Sequence, residues 1–278
     1  MTNTLISARE LASRLSDADL VLLDVRWELG RKDGQEHYAA EHIPGAVFVD
    51  LDTELSGAAG AHTGRHPLPE PADFQAAARR WGIGADSFVI AYDDSGALAA
   101  ARAWWLLRHA GFANVAVLDG GLDAWKELGG HLASGTESRA PGVVQLSWGG
   151  MPVLEYQELA SYSGTLIDSR ATARYLGIQE PIDPVAGHIP GARNRPSTDN
   201  LDAQARFFSA EQLAAAFAKI APENLPLAAY CGSGITAAHQ VLAAAHAGRE
   251  AALYPGSWSQ YCSFPQSPIA TSDEQHRH

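Results

Sequence analysis

"FVIAYDDSGALAAARAWWLLRHAG" (88–111) and "LAAYCGSGITAAHQVLAAAHAG" (227–248) follow one pattern. Each begins with a short apolar run that ends on a tyrosine, passes through a turn containing Ser-Gly, and continues into an alanine-rich stretch of helical character. The two tyrosines, Tyr92 and Tyr230, are 138 positions apart. Around this pair the rest of the chain also repeats in order. "LLDVRWELG" (22–30), "EHIPGAVFVDLD" (41–52) and "VLDGGLDAW" (117–125) are echoed by "LIDSRATARYLG" (166–177), "GHIPGARNRPSTDNLD" (187–202) and "LYPGSWSQY" (253–261). The histidines of the two HIPGA stretches, His42 and His188, are 146 apart. A shared order with a small drift in spacing is the signature of a duplicated domain with loop insertions. The polar, Gly- and Pro-containing stretch at 136–150 reads as a linker between an N-terminal domain at 1–135 and a C-terminal domain at 151–278.

Within each half, short apolar runs alternate with segments of helical period. Strands are expected at Leu20 to Val25, Ala46 to Val49, Phe88 to Tyr92, Val115 to Leu118, Leu166 to Asp168, Leu227 to Tyr230 and Ala251 to Tyr254. Helices are expected at Ser7 to Leu15, where Ser7 and Glu10 form a capping box, and near Val153 to Ser161, Ser209 to Lys219 and Thr236 to Ala247. The alternation implies an α/β fold, each domain a mainly parallel sheet with helices on both faces. Ligands of such sheets sit beyond the carboxyl ends of the strands. Cys231 is the first residue beyond one.

The bulk composition narrows the function. The 278 residues are 46% hydrophobic and 19% charged, as in a globular protein, and the net charge of −12 speaks against nucleic acid or an anionic membrane as partner. No basic leader followed by an apolar stretch opens the chain, and no run reaches transmembrane length. Two cysteines, Cys231 and Cys262, make neither a disulfide framework nor a paired zinc motif. A reducing, cytoplasmic location, a monomer and no cofactor are expected. "HTGRH" (62–66) spaces two histidines like metal ligands, but Gly64 and Pro67 favour a loop and no third ligand is evident, so no metal is expected. The tail "TSDEQHRH" (271–278) is polar and is expected to be disordered.

The loop Gly232, Ser233, Gly234, Ile235, Thr236 leads from Cys231 into a helix start, so several backbone N–H groups can turn toward the sulfur while the helix dipole adds positive potential. A thiolate, or a persulfide formed on it, is stabilised in such a cradle. The bland reading is a buried cysteine filling space. A cysteine phosphatase would need C-x-x-x-x-x-R, and Ala237 stands where that arginine belongs.

With paired HIPGA stretches, "DSRATARYLG", "YCGSGITA" and the closing "YPGSW", the chain resembles the two-domain rhodanese-like sulfurtransferases, which act on thiosulfate or 3-mercaptopyruvate. The resemblance spans roughly residues 5 to 270. It implies two tandem rhodanese-like domains, with the cysteine in the second only. Asp93 occupies the place of Cys231 in the first half, and a carboxylate cannot accept sulfane sulfur, so that domain is expected to be catalytically inactive. The resemblance also implies a small anionic sulfur donor, a persulfide on Cys231, and a thiol or cyanide as acceptor, thioredoxin being one candidate. A persulfide carrier or regulatory module without efficient turnover is the non-enzymatic alternative.

By the same resemblance, Arg174 binds the donor's anionic group, Arg170, paired with Asp168, is also expected among the substrate-binding residues, and Ser233, His42 and Asp33 match a proton-transfer triad. The alternatives are salt bridges for the arginines and a turn-bracing role for His42 and His188. Trp27 matches a tryptophan near the cleft or belongs to ordinary core. One departure stands out. Asp183 occupies a position where some relatives carry a second substrate-binding arginine, and Arg193 and Arg195 lie in a segment that is usually apolar. One of these two arginines is the expected replacement. The neutral Cys-Gly-Ser-Gly loop favours 3-mercaptopyruvate over thiosulfate, because the monoanion needs less positive charge beside the sulfur and benefits from the Ser233 hydroxyl.

Overall fold

The computed structural model describes residues 4–271, and the expected disorder of the tail lies almost wholly outside them. The chain divides into two compact units. Among the described residues the first comprises 4–57, 68–151 and 203–207, and the second 58–67, 152–202 and 208–271. Two short segments therefore belong to the unit their place in the sequence does not suggest. The segment 58–67 lies far from the linker and carries HTGRH.

In the first unit, β1 (Leu5–Ile6), β2 (Leu20–Asp24), β3 (Ala46–Phe48), β4 (Phe88–Tyr92) and β5 (Val115–Leu118) form one sheet in the order β1-β5-β4-β2-β3. Every pairing is parallel. Its core gathers Leu11, Leu22, Ile90, Ala116, Leu118 and Trp125. The helix Ala8–Arg14 starts at Ser7 with both halves of the expected capping box in place.

The second unit holds β6 (Thr165–Asp168), β7 (Arg193–Asn194), β8 (Leu227–Tyr230) and β9 (Ala252–Leu253) in the order β7-β6-β8-β9, again all parallel. A single parallel bridge from Val153 to Leu253 takes the place that β1 has in the first unit, so the two sheets share one strand order. The segment expected as a helix near Val153 to Ser161 contains only a 3₁₀ turn at Tyr156–Ser161. Strand β8 lies between β6 and β9 and is buried throughout, which is why its sequence is continuously apolar rather than alternating. The helix Ile235–His246 follows β8, and its nine buried positions are mostly alanine and other aliphatic residues, which lets it lie close against the sheet.

The duplication extends to atomic detail. In the first unit Tyr38 Oη donates to Ala46 O, Tyr92 Oη accepts from Ile43 N–H, and His42 stacks on Tyr38 with Nδ1 2.8 Å from Tyr38 O. In the second, Tyr175 Oη donates to Ala192 O, Tyr230 Oη accepts from Ile189 N–H, and His188 stacks on Tyr175 with Nδ1 2.7 Å from Tyr175 O. The backbones of His42 and His188 pair antiparallel with Ala133 and Ala270, tying the last residues of each copy to its HIPGA turn.

Candidate active site

Strand β8 delivers Cys231 at its carboxyl end. Residues Cys231 to Ile235 are all buried, and Thr236 is half-buried. The loop turns through Gly234, whose φ of +85° favours glycine; a Cβ there would fall 2.3 Å from Pro255 O. Gly234 N–H donates to Cys231 Sγ at 3.2 Å. The loop is held from below by the YPGSW segment. Ser257 Oγ accepts from Cys231 N–H at 3.0 Å and donates to Tyr254 O, while Trp258 and Ser259 N–H donate to the carbonyls of Cys231 and Gly232. Ser257 does this from φ +53°, a conformation that costs a non-glycine residue about 1–3 kcal/mol and tends to collect at functional sites.

Cys262 sits in a different environment. Burial, together with the Asp183 carboxylate, pushes its thiol up to about 12, so little nucleophilic thiolate is available there near neutrality.

The counterpart loop in the first unit explains what Asp93 does. Its carboxylate is fully buried and accepts N–H bonds from Ser95, Ala97, Ala99 and Ala100 at 2.8–3.0 Å. Burial pushes its carboxyl above the usual range against the pull of those four bonds. The amide cradle is thus filled by the chain's own carboxylate.

Several expected site residues lie in different surroundings from those anticipated. His42 is bound to Tyr38 as described, in the same geometry as His188, which supports turn bracing over proton transfer. Asp33 is partly exposed, and its carboxylate is engaged by Arg31 and stands 3.7 Å from His37 Nε2. Arg170 is sealed in. Its Nε bonds Asp168 Oδ1 at 3.0 Å, Nη2 bonds Asp168 Oδ2 and Gly187 O at 2.6 Å, Nη1 faces Glu180, and the guanidinium lies 4.6 Å from the Trp258 ring centre. Arg26 repeats the arrangement with Asp24 and Glu41 O in the unit without a cysteine. A guanidinium held this way by its aspartate and a HIPGA-loop carbonyl in both copies supports a bracing role for Arg170 rather than the expected donor contact. Arg195 likewise turns to Asn200 Oδ1 and Asp199 O and lies over Phe217.

Arg174 does reach the cysteine loop. Its Nη1 is 3.5 Å from where a Cβ on Gly232 would stand, and its other nitrogens bond Glu180 and Asp183. The segment 58–67 contributes two residues that sequence reading assigned no role. His66 Nδ1 lies 2.8 Å from Ser233 Oγ, both groups buried. Arg65 pairs with Asp183, and its Nη2 is 3.1 Å from the same Gly232 position. Sequence offers one faint signal for them, the HTGRH spacing, which reads as a loop lacking a third metal ligand. Among the described residues no cluster of metal-ligating side chains occurs.

The architecture is thus two parallel α/β units of one strand order, with Cys231 at the end of β8 in the second. The rhodanese-like domain model matches residues 7–128 and 154–264, and the chain belongs to that family. It is 44% identical to the probable 3-mercaptopyruvate sulfurtransferase of Pseudomonas aeruginosa, with 97% of this chain and 98% of that protein covered. It is also 44% identical to the putative thiosulfate sulfurtransferase SseB of Mycobacterium tuberculosis, over 95% and 96% of the two chains. The solved 3-mercaptopyruvate sulfurtransferase from Leishmania major superimposes with a TM-score of 0.86 at 30% identity, over 96% of this chain and 76% of that one.

Proposed function

We propose that the chain is a sulfurtransferase that moves sulfur from a small anionic donor, 3-mercaptopyruvate in preference to thiosulfate, to a thiol or cyanide through a persulfide on Cys231. The observation that carries this reading is the buried Cys231 sulfur accepting the Gly234 N–H beside the Arg174 guanidinium. A thiolate there attacks the donor sulfur, the carbon–sulfur bond breaks, and its electron pair leaves on carbon as the enolate of pyruvate. The enolate takes a proton to become pyruvate. Ser233 Oγ and His66 Nδ1, 2.8 Å apart, are the pair suited to relay it, in place of the expected His42 and Asp33. The acceptor's nucleophile then attacks the outer sulfur of the persulfide and the Cys231 thiolate is restored. Loop amides 232–236 favour the anionic sulfur in both steps.

The first unit takes no sulfur, since its cradle holds Asp93. Thioredoxin is a suitable thiol acceptor, and the chain works as a monomer in the cytoplasm. Among the described residues no helix is long and apolar enough to cross a membrane. Parallel steady-state kinetics with 3-mercaptopyruvate and thiosulfate, against one acceptor, test the reading. Higher kcat/KM with 3-mercaptopyruvate is expected. A higher value with thiosulfate overturns the donor preference, and stoichiometric loading without turnover overturns the enzyme.

A further inference from the structure

We propose that Arg65 is a second donor-binding cation, which with Arg174 forms a two-guanidinium clamp for the carboxylate of the donor over Gly232. The inference rests on the sulfurtransferase reading above and adds a residue to its donor site.

Asp183 stands where a cation would be expected, yet its carboxylate is almost completely buried between two arginines. Oδ1 takes Arg65 Nη1 and Oδ2 takes Arg174 Nη2 at 3.0 Å. One carboxylate, gripping one guanidinium with each oxygen, therefore holds both against the cysteine loop. The remaining donors of the two arginines converge on one place. Arg65 Nη2 is 3.1 Å and Arg174 Nη1 3.5 Å from the position a Gly232 Cβ would occupy, so the glycine's bare backbone is what lets both approach. Arg65 Nε is buried without a hydrogen-bond partner among the described residues. A buried donor left unpaired is costly, and such a group calls for a catalytic role or for a water or ion that completes its bonding.

The chemistry fits a carboxylate. Guanidinium groups bind planar oxyanions through paired N–H donors, and two of them facing one position can hold both oxygens. The backbone fixes Arg65 firmly. Its N–H donates to Ser259 Oγ at 3.1 Å, and Gly64, at φ +82°, packs so tightly that a Cβ would meet Gly256 O at 2.6 Å. On the other side of Arg65, His66 reaches Ser233. The segment 58–67 would thus place a donor ligand and a proton relay on adjacent residues.

The test is steady-state kinetics with 3-mercaptopyruvate on the full chain and on Arg65→Gln, with pyruvate as a competitive inhibitor that has the carboxylate but no sulfur. Loss of a charge-assisted contact should raise both the KM and the pyruvate inhibition constant by about ten- to a hundredfold, with kcat changed less than about threefold. Arg65→Lys, which keeps the charge but not the fork, should recover only part of the loss, and it carries the test if the glutamine variant does not fold. Unchanged KM and inhibition constant overturn the clamp, as does a fall confined to kcat, which would assign Arg65 to positioning His66. If the unaltered chain does not turn over 3-mercaptopyruvate, the sulfurtransferase reading falls instead. Pyruvate binding by calorimetry, compared between the unaltered chain and Arg65→Gln, then decides the clamp by itself.

Discussion

The Ser233 hydroxyl and His66 Nδ1, 167 positions apart in sequence, lie 2.8 Å from one another, both residues buried, with Ser233 in the loop that carries Cys231. The contact separates two histidine roles that sequence merged. His66 faces the loop that carries the sulfur, whereas His42 and His188 each bond the carbonyl of the tyrosine on which they stack.

His66→Gln should therefore lower kcat with 3-mercaptopyruvate by about a hundredfold or more, the range of general acid–base catalysis. The loss should be much smaller with thiosulfate, whose sulfite leaving group needs no proton. His42→Ala should instead destabilise the fold by about 1–3 kcal/mol through a lost buried hydrogen bond, read in denaturant melts. Equal losses of kcat with both donors in His66→Gln would remove the relay.

Intact-protein mass spectrometry after exposure to donor should show one added sulfur, removed again by cyanide. Cys231→Ser should abolish the gain. Cys262, with its thiol pushed up to about 12, should remain unmodified and react slowly with iodoacetamide near pH 8. A persulfide on Cys262 would refute the assignment.

Arg174→Ala should raise the KM for the donor by one to two decades, corresponding to about 1.5–3 kcal/mol for a hydrogen bond to a charged group. Persulfide loading at saturating donor should survive. An unchanged KM would leave donor binding to other cations.

Arg170→Ala should behave differently from Arg174→Ala. Its removal strands Asp168 in the interior and should cost about 3–5 kcal/mol of stability, as should Arg26→Ala for Asp24. A variant that keeps its melting point but loses donor affinity would return Arg170 to the binding site.

Gly234→Ala places a side chain at φ +85° against Pro255 O. The loop should shift, and persulfide formation should fall while far-UV circular dichroism stays close to that of the unaltered chain. Full activity would show that the Gly234 N–H contact to sulfur is dispensable.

Much of the molecule was legible because its causes are local. Apolar runs such as Phe88–Tyr92, Val115–Leu118 and Leu227–Tyr230 coincide with strands, since a strand buried on both faces must be continuously apolar. The Ser7/Glu10 box fixes a helix start from residues three apart. The repeat supplies the strand order twice, and the turn glycines mark the cysteine loop.

Sequence by itself thus determined the duplicated α/β architecture, the placement of Cys231 at a strand end and of Asp93 at the matching place in the first half. Tertiary structure alone decided which cations and which histidine meet the sulfur loop. Arg65 and His66 sit in a segment with neither helical nor strand period, and they join the second unit through Ser259, Gly256 and Asp183, nearly 120 to 194 positions away. Such contacts are set by loop closure and by pairing of buried charges rather than by any local propensity. Arg170 and Arg174, four residues apart, have opposite fates for the same reason: one guanidinium is enclosed by Asp168, Gly187 O and Trp258, and the other extends past Glu180 to the edge of Gly232.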